Sequence, residues 1–121
     1  IYTAWFTQGT NRTGVFYAKS SNRGVSFSSP RKLGDDGSNV GRPYLLSLDE
    51  HVWLVWKEFD GEKSRVYAEY SANDGQTWSD KKMISETSGY SDHPLLISSQ
   101  GKVYLSWLTR LNGYQLIEMS R

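Results

Sequence analysis

Val52-Trp53-Leu54-Val55-Trp56 returns 51 residues later as Val103-Tyr104-Leu105-Ser106-Trp107, and Trp5 stands the same distance upstream of Trp56. The same shift, without a gap, lays Val15 on Val66, Ser20 on Ser71, Asn22 on Asn73, Gly24 on Gly75 and Ser28 on Ser79. Further on it lays Pro43 on Pro94, Leu45 on Leu96 and Ser47 on Ser98. Identities that gather at turn-forming and large apolar positions, instead of scattering, mark an internal repeat of one supersecondary unit. The 121 residues hold two full periods and the opening of a third.

Each unit reads as β. Ile1–Phe6, Val52–Lys57 and Lys102–Leu108 are short runs of β-branched and aromatic residues bounded by polar turns. Arg65–Tyr70 and Gln115–Ser120 follow them across Asp60-Gly61 and Asn112-Gly113, both strong tight-turn dipeptides. Arg31–Leu33 and Lys82–Ser85 read as shorter, more polar strands. Tyr44–Ser47 and Leu95–Ser98 complete the unit; being nearly all apolar, they are expected to be buried on both faces. Nowhere does an apolar stripe keep helical spacing for a helix-length run.

Four short strands repeated in tandem about every 50 residues is the pattern of β-propeller blades. The period is too long for the coils of a β-helix, and a sandwich has no need to repeat its sequence. The recurring Trp then falls at a contact between blades, where an aromatic side chain buries roughly 150–250 Å². The expected fold is all-β: a partial β-propeller of about two and a half four-stranded antiparallel blades. Its parts are a partial blade at 1–41, a complete blade with its loop at 42–92, and a partial blade at 93–121. An open ring leaves apolar faces and strand edges uncovered. The expected partner is therefore a second copy of the chain or the remainder of a longer propeller chain.

Composition excludes several classes. A net charge of +1 provides no field to draw in nucleic acid or an anionic membrane surface. No apolar run approaches the ~18 residues of a membrane-spanning helix. There is no cysteine, so disulfides and thiolate metal sites are excluded. No His/Glu cluster has zinc spacing and no Gly-rich phosphate loop follows a strand, so neither metal nor cofactor is expected. The chain opens on Ile1 and shows no signal peptide, which reads as a processed or excised product.

One motif in each unit is specific. Ser71-Ala72-Asn73-Asp74-Gly75-Gln76-Thr77-Trp78 follows the pattern Ser-x-Asp-x-Gly-x-Thr-Trp, and Ser20-Ser21-Asn22-Arg23-Gly24-Val25-Ser26-Phe27 is a looser copy. Gly75 permits a positive φ in a tight turn, and the Ser71 and Asn73 side chains are placed to bond back to turn amides. Trp78 is expected to fold under as an apolar plug. These stretches resemble the Asp box, the bacterial neuraminidase repeat of sialidases and related propellers, and Gly89–Ile97 looks like the same class. Both copies carry Asn where the family has Asp, which keeps the carbonyl acceptor and loses the charge. In that family the boxes, here Ser20, Asn22, Gly24, Phe27, Ser71, Asn73, Gly75 and Trp78, are structural and lie opposite the active face.

The resemblance implies an active face built from the loops Gly34–Arg42, Glu58–Ser64, Ser85–His93 and Thr109–Tyr114. It implies a sialic acid or another glycan as ligand, and a secreted or periplasmic location. The family grips the sugar carboxylate with three arginines, because a planar guanidinium meets a carboxylate through two parallel bonds. It uses a tyrosine nucleophile with a glutamate partner, and an aspartate as acid/base. On this chain Arg42, opening an inner strand, matches a carboxylate-binding arginine, or else is an exposed loop cation. Tyr90 matches the nucleophile and Glu58 its base partner, or else a solvated carboxylate beside Lys57. His93 takes the place of Arg42 one unit on, and Arg110 is a further candidate cation. Asp35 and Asp36 are acid/base or calcium-ligand candidates, or simple turn formers. Asn11-Arg12-Thr13 fits an N-glycosylation sequon. A catalytic set is not expected to be complete within this chain, so the non-catalytic alternative, a carbohydrate-binding or structural segment, stands beside the enzyme.

Overall fold

The computed structural model of the chain describes residues 1–7, 14–33 and 39–119, and among these there is no helix. The strands are β1 (Tyr2–Thr7), β2 (Gly14–Lys19), β3 (Arg31–Leu33), β4 (Asn39–Leu48), β5 (His51–Phe59) and β6 (Lys63–Ser71). They continue with β7 (Lys82–Ser88), β8 (Leu95–Ser99), β9 (Lys102–Thr109) and β10 (Gly113–Glu118). They form three antiparallel sheets in the orders β1-β2-β3, β4-β5-β6-β7 and β8-β9-β10, each a simple meander and none closed on itself. The 51-residue shift carries β1 onto β5 and β9, and β2 onto β6. The middle sheet begins at Asn39, within the stretch assigned by sequence to the first partial blade.

Two apolar clusters join the sheets in series. Val15 and Tyr17 of β2 pack with Val40, Leu54 and Trp56 of the middle sheet. On its other side, Trp53, Val55, Val66 and Ala68 pack with Leu96, Val103, Leu105, Trp107 and Met119 of the last sheet. Side chains alternate across a strand, so Leu54 and Trp56 serve one cluster while Trp53 and Val55 serve the other. Trp56 and Trp107 are fully buried at successive sheet contacts, where the repeated Trp was expected. Each such burial removes roughly 4–6 kcal/mol worth of apolar surface from water, an upper bound set by an extended reference chain.

Burial on both faces belongs to β5, not to the strands at Tyr44–Ser47 and Leu95–Ser98. Tyr44, Leu95 and Ile97 are between a third and a half exposed, while every residue from Val52 to Trp56 is buried. The reason is position: β5 is internal to a sheet that is itself packed on both sides, whereas β4 and β8 are sheet edges. Leu95 and Ile97 moreover point to the face of the last sheet that is left exposed among the described residues, together with Leu108, Tyr114 and Leu116.

The two copies of the turn motif close with the same bonds. Ser71 Oγ accepts from the Gly75 amide at 2.9 Å, and Asn73 Oδ1 accepts from the Thr77 amide at 2.9 Å. In the first copy Ser20 Oγ accepts from Gly24 at 2.8 Å and Asn22 Oδ1 from Ser26 at 2.9 Å. Gly75 stands at φ +80° behind Asp74 at +59°, a left-handed pair that a tight reversal requires. Trp78 does not fold under its own turn alone; it meets Tyr17 of the preceding sheet edge-on, ring centroids 5.1 Å apart. Phe27, its equivalent, is exposed.

Candidate functional site

A cleft of about 610 Å³ draws on all three sheets: Trp5 from β1, Arg42 and Tyr44 from β4, Lys57 and Phe59 from β5, and Tyr90 and His93 from the loop before β8. That size is within the roughly 300–1,000 Å³ of small-ligand sites. The structure thus brings Arg42 together with Tyr90 and His93, candidates from two loops about 50 residues apart in sequence. No Asp or Glu lines the cleft among the described residues, so its charge is cationic.

Arg42 is presented by an irregularity in β4. Pairing with β5 shifts register between Gly41 and Tyr44, and Arg42 itself sits at φ +55°. A non-glycine residue in that region costs on the order of 1–3 kcal/mol and recurs at ligand sites. Its side chain is exposed at the cleft. Lys57 is half-buried across from it, with Nζ donating to the Ser91 carbonyl at 2.7 Å. Burial, and next the Arg42 charge, hold the Lys57 ammonium below its ordinary pKa, opposed by Asp92.

The loop carrying Tyr90 is pinned on both sides. The Gly89 amide donates to the Glu62 carbonyl at 2.6 Å, and Ser64 Oγ donates to the Gly89 carbonyl at 2.7 Å. The Asp92 amide donates to the Leu108 carbonyl at 2.9 Å, and Trp107 Nε1 donates to the Asp92 carbonyl at 3.1 Å. Asp92 Oδ1 in turn accepts the His93 amide at 2.9 Å. On this fixed loop the Tyr90 ring stacks on Phe59 at 4.8 Å and stays 66% exposed, which leaves an aromatic surface open to solvent. The buried Ser91 Oγ beside it has no hydrogen-bond partner.

Two candidates go elsewhere. Glu58 does not line the cleft and is not a partner for Tyr90: it is 3% exposed, accepts from Trp56 Nε1 at 2.8 Å and pairs with Lys81 Nζ at 3.4 Å. Strand alternation explains this, since Glu58 shares the face of Trp56, two residues earlier, and Lys57 takes the opposite one. Arg110 lines a second depression of about 370 Å³ on the far side of the Tyr90 loop, with Tyr90, Ser91, Asp92, Leu108 and Thr109. Asp35, Asp36 and the Asn11-Arg12-Thr13 sequon lie outside the described residues. Among the described residues no three His, Asp or Glu side chains gather as metal ligands.

Sequence reading missed Lys57 and Phe59 as cleft residues. The signal was present in the same alternation: once Trp56 is assigned to a sheet contact, Lys57 and Phe59 must share the other face of β5. Chemically, the cleft offers a guanidinium, an ammonium and an imidazole around a space floored by aromatic rings. That set can hold a carboxylate and stack against a sugar face; among the described residues it includes no carboxylate base for the Tyr90 hydroxyl. No family model matches the chain, and neither a curated protein nor a solved structure is similar to it.

Proposed function

We propose that the chain is a segment of a sialidase-like Asp-box β-propeller whose cleft recognises a carboxylated sugar such as a terminal sialic acid. The observation that carries this is the convergence of Arg42, Lys57 and His93 on one cleft that no carboxylate among the described residues lines, beside the exposed Tyr90 ring. Arg42 meets the carboxylate through paired bonds, Lys57 adds a point charge and the Tyr90–Phe59 stack carries the apolar sugar face. The propeller reading draws support from three serial meander sheets related by one 51-residue shift, and from the matching hydrogen bonds of the two turns. Recognition is favoured over hydrolysis, because Glu58 is committed to Trp56 and Lys81.

The test is a titration of the isotope-labelled chain with N-acetylneuraminic acid, with the neutral sugar N-acetylmannosamine as control. Shifts at Arg42, His93 and Tyr90 with the acid alone are expected, and Arg42→Ala should weaken binding by at least about tenfold, the loss of one charge-assisted pair. Equal response to the neutral sugar, or an unaffected Arg42→Ala, overturns the reading. Turnover of a fluorogenic sialoside that Tyr90→Phe abolishes would instead establish hydrolysis. A second reading, assembly with another copy of the chain, is favoured by the exposed apolar face of Leu95, Ile97, Leu108, Tyr114 and Leu116.

A further inference from the structure

Between the second and third sheets, toward the other end of β5 from the cleft, lies a cavity of about 180 Å³ whose lining includes Trp53, Ala68, Tyr70, Lys82, Ile84 and Met119 and the buried Glu69. It has an occupied counterpart one sheet earlier. There the turn Ser71–Trp78 reaches from the middle sheet to the first. Trp78 meets Tyr17 edge-on at 5.1 Å under the Arg31 guanidinium, which lies 5.6 Å from its ring. Asp74 of the same turn accepts from the Tyr2 hydroxyl and, at 3.3 Å, from Lys19 Nζ. The residues that receive the turn are therefore Tyr2, Tyr17, Lys19 and Arg31. Moved by 51 positions they become Trp53, Ala68, Tyr70 and Lys82, and all four line the cavity.

We infer that this cavity is a socket for the Trp-bearing turn of a further repeat unit, of the form Ser-x-Asn-x-Gly-x-Thr-Trp. Ala68 stands where Tyr17 stands in the filled socket, so the space is wider at the point where an indole enters. A cavity of roughly 150 Å³ suffices for a benzene ring, so the volume admits an aromatic side chain. Met119 and Trp53 supply a polarisable and an aromatic wall, and Lys82 repeats the Arg31 cation over the ring. Its occupancy is scored separately from sugar binding, because it shares no lining residue with the cleft.

The experiment titrates the methyl-labelled chain with a synthetic peptide of its own Tyr70–Asp80 sequence, and with the same peptide carrying Trp78→Ala. Saturable shifts at the Met119 and Ile84 methyls are expected, with the Ala peptide at least about tenfold weaker. In the protein, Ala68→Tyr should fill the socket, raise the melting temperature and abolish the peptide response; Ala68→Leu gives a gentler plug if the larger ring prevents folding. No shift at Met119 and Ile84 up to millimolar peptide overturns the inference. So does a response that survives loss of the peptide's Trp or the filling of the socket.

Discussion

Asp74 shows how much one turn residue carries. The Tyr2 hydroxyl and then Lys19 hold its carboxyl below the ordinary value of 3.8, while burial and then Asp74 push the Tyr2 hydroxyl up. Asp60 is lowered by the Lys63 and Glu62 amides and Arg65, and Glu86 by Arg65 and Lys63. A carboxylate with a lowered folded pKa contributes stability that is present above its unfolded value and is lost as pH falls through the folded one. The melting temperature should therefore fall below about pH 4. Asp74→Asn should melt lower at neutral pH and lose less on acidification, as followed by intrinsic Trp fluorescence. Lys57 is shifted in the same direction, by burial and the Arg42 charge, so its contribution to stability also rises with pH while its charge is lost. Its lowered pKa makes the folded chain release the proton before the unfolded one, so carboxylate binding in the cleft should weaken as pH rises toward 10.5. Calorimetric titrations across that range measure it, and Lys57→Met should flatten the profile.

At the scale of elements, the two turns are nearly identical in bonds and unlike in surroundings. A Cβ on Gly75 would come within 3.1 Å of both Tyr17 Oη and Tyr2 Cε1, at a φ of +80°. On Gly24 it would meet only Ile1 Cδ1, at 3.5 Å. Gly24→Ala should cost about 1 kcal/mol from backbone strain, and Gly75→Ala roughly 1–3 kcal/mol, since a contact is crowded as well. Urea unfolding of the two variants compares them directly. The turn chemistry and the short strand Arg31–Leu33 were legible in sequence, because both depend on residues adjacent along the chain. Two-sided burial was not. It depends on which strand is internal to a sheet packed on both sides, and nearly apolar runs at β4 and β8 look the same as a buried strand in sequence.

For the whole molecule, stability resides in contacts between successive sheets. Trp107→Ala should cost about 3–5 kcal/mol, as for other fully buried large residues. Trp5→Ala should cost less, because Trp5 is only partly buried, at the cleft and against Phe16. The last sheet presents Leu95, Ile97, Leu108, Tyr114 and Leu116 exposed on one face among the described residues, and such a face favours self-association. Sedimentation should show concentration-dependent assembly that Ile97→Lys with Leu116→Lys reduces; a monomer at all concentrations would rule out the second copy as partner.

By itself the sequence determined the period, most of the strands though not Gly14–Lys19, the turn chemistry and the recurrence of Trp, because each follows from residue spacing and local backbone chemistry. It also pointed to Arg42, Tyr90 and His93 one at a time. Only the tertiary structure decided that these three share a cleft with Lys57, that Glu58 is withdrawn to Trp56 and Lys81, and that Asp74 reaches Tyr2 across 72 positions. The physical reason is that a strand's pattern tells which residues share a face but not what lies opposite. That is settled when one sheet packs against the next, between residues far apart along the chain.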